Sequence, residues 1–399
     1  MERSLIVAGG QLGPIARNES RQQVVSRLLE LMREAKARGG DIVVFPELAL
    51  TTFFPRWWID DQAQIDSFFE REMPSPATRP LFETAKSLGI GFYLGYAELA
   101  VKNGATQRYN TAILVDKNAE IVGKYRKVHL PGHADDRPHY PFQHLEKRYF
   151  EPGDLGFPVW RAFGANVGMC ICNDRRWPET YRVMGMQSVE LILLGYNTPT
   201  HLPWIPVYDH LADFHNHLCM QAGAYQNSTW VVGVAKAVNE EGSELLAGSC
   251  IISPSGEIVA QAASNGDEVF LAKCNLEISR YNKEAMFNFA QHRRIEHYQL
   301  ITQRAGAVPP VCVGRLKWVR QRRCRAFFRW MNHRSASSRG SCRKYSRQSG
   351  VLTRKACRSC WPSRTPIWRS GRGELVSAES SALVNDPSVK DAHLQPQWI

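Results

Sequence analysis

Three side chains in this sequence end apolar runs in ways that suit covalent chemistry. Glu47 closes Val43-Val44-Phe45-Pro46-Glu47-Leu48, where a buried strand runs out. A carboxylate there is either a rim residue paired with a neighbour or a general base whose pKa is raised by burial. Lys127 stands in Gly123-Lys124-Tyr125-Arg126-Lys127-Val128-His129-Leu130. Cations crowded onto an extended segment must use both of its faces, so one can point inward, where it needs a carboxylate partner. The alternative is a solvated basic edge. Cys172 ends Gly168-Met169-Cys170-Ile171-Cys172 and is followed by Asn173-Asp174-Arg175-Arg176-Trp177-Pro178-Glu179. A strand, a tight polar turn and a helix opening at Pro178 expose a nucleophile at a sheet edge, with backbone N–H groups of the turn converging beside it. Neighbouring cations and a helix N-terminus favour its thiolate. Cys170, inside the strand, reads as a buried, inert thiol.

Positioning these residues takes a layered α/β domain, and the first ~300 residues carry its pattern of short apolar runs alternating with amphipathic stretches. Residues 5–8, 42–45, 90–94, 111–115, 121–125, 167–172, 191–194, 229–234, 249–252 and 258–260 read as strands. Val24, Val25, Leu28, Leu31, Met32 and Ala35 recur at helical spacing within residues 19–38, and Gly39-Gly40 ends that helix. Further helices are expected over residues 82–88, from Pro178 onward, and over 209–226. Asp116-Lys117-Asn118 and Ser253-Pro254-Ser255-Gly256-Glu257 read as hairpin turns.

The chain has 399 residues, 44% hydrophobic and 22% charged, which excludes a wholly disordered, collagenous or coiled-coil protein. Its net charge of +12 is unevenly spread. Residues 1–304 hold 31 Lys and Arg against 34 Asp and Glu, whereas residues 305–399 hold 19 against 4. The basic character therefore belongs to the tail, and does not imply a nucleic-acid substrate for the main domain. No apolar stretch is long enough for a membrane span, and the N-terminus turns polar too soon for a signal peptide, so a cytoplasmic protein with reduced thiols is expected. No zinc pattern emerges in residues 1–304: Cys170 and Cys172 lack a second pair, and His210, His215 and His217 read as packing and hydrogen-bonding residues.

In the order Glu, Lys, Cys, the three sites resemble the Glu-Lys-Cys triad of the nitrilase superfamily. Within that superfamily the chain resembles the N-carbamoyl-D-amino acid amidohydrolases. The resemblance is carried by Phe45-Pro46-Glu47-Leu48-Ala49-Leu50-Thr51-Thr52-Phe53-Phe54-Pro55-Arg56, Tyr125-Arg126-Lys127, His129-Leu130-Pro131-Gly132-His133, His144-Leu145-Glu146-Lys147-Arg148-Tyr149-Phe150, and the string from Cys172 to Glu179. It spans residues 7 to 300, and the tail has no counterpart. The resemblance implies a four-layer α-β-β-α sandwich over residues 1–304, with Glu47, Lys127 and Cys172 catalytic. It implies no metal or cofactor, and a homo-oligomer, dimer or tetramer, formed through helix faces. Asn173 would supply an oxyanion N–H. Arg175 or Arg176 would meet the substrate carboxylate, while the other pairs with a structural acid. Asn197 would share the rim, and His129, His144 and Glu146 would support substrate and triad. The implied reaction yields a D-amino acid, carbon dioxide and ammonia. Alternatives are a related amidase, acting on N-carbamoyl-β-alanine or another acyl group, or a nucleic-acid-binding role for the basic tail.

Residues 311–370 contain 17 Lys and Arg and no acid, with scattered Trp and Cys and no periodicity. Such a segment is expected to be disordered. A shifted reading frame or read-through explains it best, ahead of a basic binding arm or a zinc site at Cys357 and Cys360.

Overall fold

The computed structural model describes residues 3–310. Strands β1 (Ser4–Gln11), β2 (Ile42–Val44), β3 (Gly91–Lys102), β4 (Ala105–Val115) and β5 (Ile121–Arg126) form most of one sheet. Strands β6 (Val159–Ala162), β7 (Ala165–Ile171), β8 (Leu191–Tyr196) and β9 (Trp230–Ala235) begin a second. After a separate hairpin of β10 (Ala237–Glu240) and β11 (Ser243–Leu246), the chain adds β12 (Cys250–Ile252) and β13 (Ile258–Gln261) to the second sheet. It then returns to the first as β14 (Glu268–Asn275). The strand orders are β14-β1-β2-β3-β4-β5 and β13-β12-β9-β8-β7-β6. In each sheet three consecutive strands in space are parallel, β1-β2-β3 and β7-β8-β9, flanked by antiparallel neighbours.

Alternation along the strands assigns their two faces. Val7, Ile42, Val44, Tyr93, Ala112 and Leu114 turn inward and join the second sheet in one core. Ala8, Val43, Phe45, Phe92, Leu94, Ile113 and Val115 turn outward and are covered by Leu28, Leu31 and Met32 of the helix Arg21–Ala37 and by Leu81, Phe82 and Ala85 of the helix Arg79–Leu88. On the second sheet, Tyr181 and Met184 of the helix Pro178–Gly185 and Met220 and Ala224 of the helix Ala212–Asn227 supply the opposite cover. Both faces of both sheets are buried, so the strands read as continuous apolar runs. The result is the four-layer α-β-β-α arrangement that the motif resemblance implies.

Local chemistry sets the ends. Ser20 caps the first helix reciprocally with Gln23, and all six apolar residues of its expected stripe are buried. β3 and β4 run much further than the expected 90–94 and 111–115, because Asn103-Gly104, both at positive φ (52° and 78°), turn one strand directly into the other. β6, β10, β11 and β14 were not anticipated.

Described residues up to Thr302 form one compact unit. The tail expectations, including disorder, a basic arm and zinc at Cys357 and Cys360, fall on residues 311–399, outside the described residues. Among the described residues no helix is long and apolar enough to cross a membrane, and the five described cysteines are free thiols.

Candidate active site

β2, β5, β7 and β8 all point their carboxyl ends at one rim, the usual place for chemistry in open α/β sheets. Glu47 follows β2, Lys127 follows β5, Cys172 follows β7 and Asn197 follows β8.

The turn at Glu47 is gripped between the sheets. A Cβ on Gly95 would lie 2.7 Å from the Pro46 carbonyl oxygen, and one on Gly195 would lie 2.4 Å from the Glu47 nitrogen, so neither position accepts a side chain. Leu48 sits at φ 44°, a left-handed conformation that costs a non-glycine residue about 1–2 kcal/mol. The Glu47 carboxylate accepts three hydrogen bonds, which leaves one lone-pair direction on Oε2. Oε1 accepts from Lys127 Nζ at 2.7 Å and from Asn110 Nδ2 at 2.7 Å, and Oε2 accepts from the Asn197 N–H at 2.9 Å. Asn197 Nδ2 also donates to the Glu47 carbonyl at 2.7 Å. Burial, joined by repulsion from Glu146, raises the Glu47 pKa in spite of Lys127 and Asn110.

The basic run around Lys127 divides by strand parity. Lys124 and Arg126 share one face and both pair with Glu98, while Lys127 points inward. It lies between two carboxylates, donating to Glu47 at 2.7 Å and to Glu146 at 2.6 Å, with all three side chains inaccessible to solvent. An ammonium has three N–H groups, so one remains for the cavity. Burial opposes this charge, but the acidic groups of Cys172, Glu146 and Glu47 outweigh it and hold the Lys127 pKa above its ordinary value. Glu146 is in turn held by His144, whose Nε2 lies 3.0 Å from Glu146 Oε1. Burial alone would raise the Glu146 pKa, yet Lys127 and His144 bring it below normal.

Cys172 occupies the elbow between β7 and a turn of 3-10 helix, Cys172–Arg176, at φ 46°. Such strain persists only where the surroundings enforce it. Burial and then Glu47 push its thiol pKa up, against Lys127 and Arg175. The resting proton thus stays on sulfur, beside a carboxylate whose own pKa has risen toward it. Cys170 is fully buried, with its pKa pushed far up by desolvation.

Cys172 opens on a cavity of about 290 Å³, with His144, Asn173, Arg176, Asn197 and Trp204 in its walls. The two expected arginines behave differently. Arg175 is buried at 1% exposure and committed to the Cys172 carbonyl (2.7 Å), Asn216 (3.0 Å) and Thr198 (2.8 Å), with its guanidinium over Tyr196. Its expected alternative, a structural acid, is replaced by these neutral acceptors. Arg176, by contrast, is exposed in the cavity and has no hydrogen-bonding partner among the described residues. His129 is also placed differently from expectation. Its ring stacks on Trp177 and its Nδ1 lies 2.8 Å from Asp174, in the wall of a separate cavity of about 590 Å³ that shares Asn173. His129 therefore does not line the Cys172 cavity.

Asn110, Thr198 and Trp204 were not singled out in the sequence. Asn110 lies within β4 and had no strand-end signal; Thr198 follows Asn197 directly and was legible as part of the same rim. Among the described residues no group of three His, Cys, Asp or Glu is placed to hold a metal ion. His217 instead contacts the Gly248 carbonyl at 3.1 Å and Asp213 at 3.3 Å.

Residues 6–281 match the family model described as carbon-nitrogen hydrolase. An N-carbamoylputrescine amidase of Arabidopsis thaliana is 31% identical over 288 residues, covering 68% of this chain and 87% of that protein. The crystal structure of a carbon-nitrogen hydrolase from Helicobacter pylori G27 superposes with a TM-score of 0.65 at 21% identity, covering 76% of this chain and 99% of the other. A mutant amidase from Nesterenkonia sp. AN1, described with a covalent acetamide adduct at its active-site cysteine, has a TM-score of 0.53 at 18% identity, covering 72% and 96%. The chain belongs to the carbon-nitrogen hydrolase family, the nitrilase superfamily, whose members hydrolyse carbon–nitrogen bonds other than peptide bonds.

Proposed function

We propose that this enzyme hydrolyses N-carbamoyl-D-amino acids through a thioester on Cys172. The observation that carries this reading is Arg176, unpaired among the described residues, in the cavity onto which Cys172 opens, with Glu47 and Lys127 near the sulfur. Cys172 Sγ attacks the carbamoyl carbon as Glu47 takes the thiol proton. Charge develops on the carbamoyl oxygen, where Lys127 and the Asn173 backbone N–H stabilise it, a contribution of about 3–4 kcal/mol per donor in comparable acyl transfers. Collapse breaks the carbon–nitrogen bond, and Glu47 returns its proton to the departing ammonia. Water deprotonated by Glu47 then cleaves the thioester, and the released carbamate loses carbon dioxide to leave the free amino acid.

Arg176 is suited to grip the substrate carboxylate as a bidentate fork. With the carbamoyl group and the carboxylate both fixed, one hand of the α-carbon directs its side chain to the open mouth, and the motif resemblance supports D. The expected preference for N-carbamoyl-D-phenylalanine over its L form is about 100-fold or more in kcat/KM. Arg176→Ala should raise KM about tenfold or more with kcat little changed, the loss of a charged hydrogen bond. Comparable D and L rates would remove the stereochemical assignment.

A second reading draws on the curated relatives named for N-carbamoylputrescine and on Asp209, a carboxylate in the same cavity that could receive an ammonium. Asp209 is already engaged by His201 at 2.6 Å and the Leu202 N–H at 3.1 Å, whereas Arg176 has no partner among the described residues. Faster turnover of N-carbamoylputrescine than of any N-carbamoyl amino acid would favour this reading.

A further inference from the structure

The catalytic groups come from two different sheets, so their distance depends on whatever ties one sheet's rim to the other. We propose that Asp174, with Tyr125, is the positioning strut that holds the Lys127 ammonium in register with Cys172. This rests on the reading of Cys172 as nucleophile and Lys127 as its electrostatic partner.

The Asp174 carboxylate is fully buried and receives donors from both sides. From the Lys127 segment, Tyr125 Oη donates to Oδ2 at 2.7 Å, the His129 N–H donates to Oδ1 at 2.9 Å, and His129 Nδ1 lies 2.8 Å from the same oxygen. From the Cys172 segment, the Ile171 N–H donates to Oδ2 at 3.1 Å. Asn173 Nδ2 closes a second link by donating to the His129 carbonyl at 3.1 Å.

The positions of these donors matter as much as their number. Tyr125 and His129 stand two residues before and two residues after Lys127, on the same strand parity, so binding them fixes the face from which Lys127 reaches its carboxylates. Ile171 and Asp174 bracket Cys172 on either side of its left-handed backbone turn. One carboxylate thus clamps both flanks of the cation and both flanks of the nucleophile, without touching the reacting atoms. An asparagine at this position would present an N–H where the Tyr125 hydroxyl or the backbone amides now donate, so the clamp depends on a carboxylate, not only on its shape.

Tyr125→Phe removes one link and keeps the ring in the core; Asp174→Asn disturbs all of them. Full-length variants are assayed with N-carbamoyl-D-phenylalanine, and Cys172 reactivity is read independently by its alkylation rate with iodoacetamide at fixed pH. A displacement of reacting groups by a fraction of an ångström predicts kcat lower by about tenfold for Tyr125→Phe and about 100-fold for Asp174→Asn, with KM within twofold. Cys172 alkylation should slow in the same order. Tyr125→Phe with unchanged kcat, with kcat and KM altered together, or with alkylation unchanged or faster overturns the strut. Cys172→Ala separates the two levels: an active Cys172→Ala enzyme overturns the nucleophile reading itself, whereas an inactive one beside a fully active Tyr125→Phe overturns only the strut. If Asp174→Asn fails to fold, Tyr125→Phe alone decides.

Discussion

Two buried clusters of charge lie near each other in this molecule. In one, a single cation, Lys127, serves two carboxylates, Glu47 and Glu146. In the other, a single carboxylate, Glu240, serves two cations, Arg56 at 2.8 Å and Lys236 at 2.9 Å. Glu240 also accepts from the backbone N–H groups of Ile15 (3.0 Å) and Phe53 (2.7 Å), and Lys236 donates to the Thr51 carbonyl at 2.9 Å. The contacts with Thr51, Phe53 and Arg56 tie down the loop that leaves Glu47, and Lys236 also offers its backbone N–H to Asn197 Oδ1 at 3.4 Å. In that cluster the carboxylate and both cations have their pKa values lowered, burial opposing the charge on each while the partners favour it. The Lys127 cluster divides its carboxylates: Glu146 is lowered, Glu47 is raised, and the neighbouring thiol is raised with it. Equal burial thus serves two ends. A saturated cluster holds charge fixed as structure, and one with surplus acid and a donor directed to a cavity can pass a proton.

Exchanging one oxygen for an amide in each cluster tests that division. Glu47→Gln removes the proton acceptor, and kcat should fall about 10²–10⁴-fold, the usual range for a general base, while the melting temperature falls less than in the Glu240 exchange, because Lys127 keeps Glu146 as a partner. Glu240→Gln should do the reverse. Leaving Arg56 and Lys236 without their carboxylate costs about 3–5 kcal/mol by comparison with other broken buried pairs, and thermal unfolding reads it directly. Whatever folded enzyme remains should keep a substantial part of its kcat. Loss of stability in Glu47→Gln equal to that in Glu240→Gln would erase the distinction.

Acid titration separates the clusters more gently. Glu47 must be ionised to accept the thiol proton and its pKa is held above 4.5, so kcat/KM should fall as pH drops through a value above 4.5. Glu146 and Glu240 are held below 4.5; the stability they contribute is present above the unfolded value and is lost only as pH falls through their lower folded values. Activity should therefore disappear at a higher pH than the native fluorescence signal. Coincident losses would mean that acid inactivation is unfolding.

The sequence made the strand ends legible because each was a polar residue after an apolar run stopped by a turn, which is why Glu47, Lys127, Cys172 and Asn197 could be named and fall on one rim. His144 and Glu146 had no such signal: they stand in an aperiodic stretch that reads as surface loop, and only the motif resemblance marked them. Glu146 is held by Lys127, a tertiary contact that no local pattern encodes, and His144 by Glu146. Arg175 and Arg176 are adjacent and identical in type, so spacing could not say that Arg175 turns under Cys172 while Arg176 faces the cavity. The extent of β3 and β4 was written in Asn103-Gly104, but charged and small residues toward the hairpin tip diluted the strand pattern. β14 is a different case: as the edge partner of β1, half its residues are only partly buried, which breaks up the apolar run.

The claim that Cys172 carries the carbamoyl carbon is tested most directly by acid-quenching the full-length enzyme during turnover of N-carbamoyl-D-phenylalanine and mapping its peptides by mass spectrometry. An adduct is expected on the peptide containing Cys172, heavier by the mass of the substrate less ammonia, absent from Cys172→Ala and retained in Cys170→Ala. Turnover by Cys172→Ala at the unmodified rate, with no adduct on any cysteine, would contradict it.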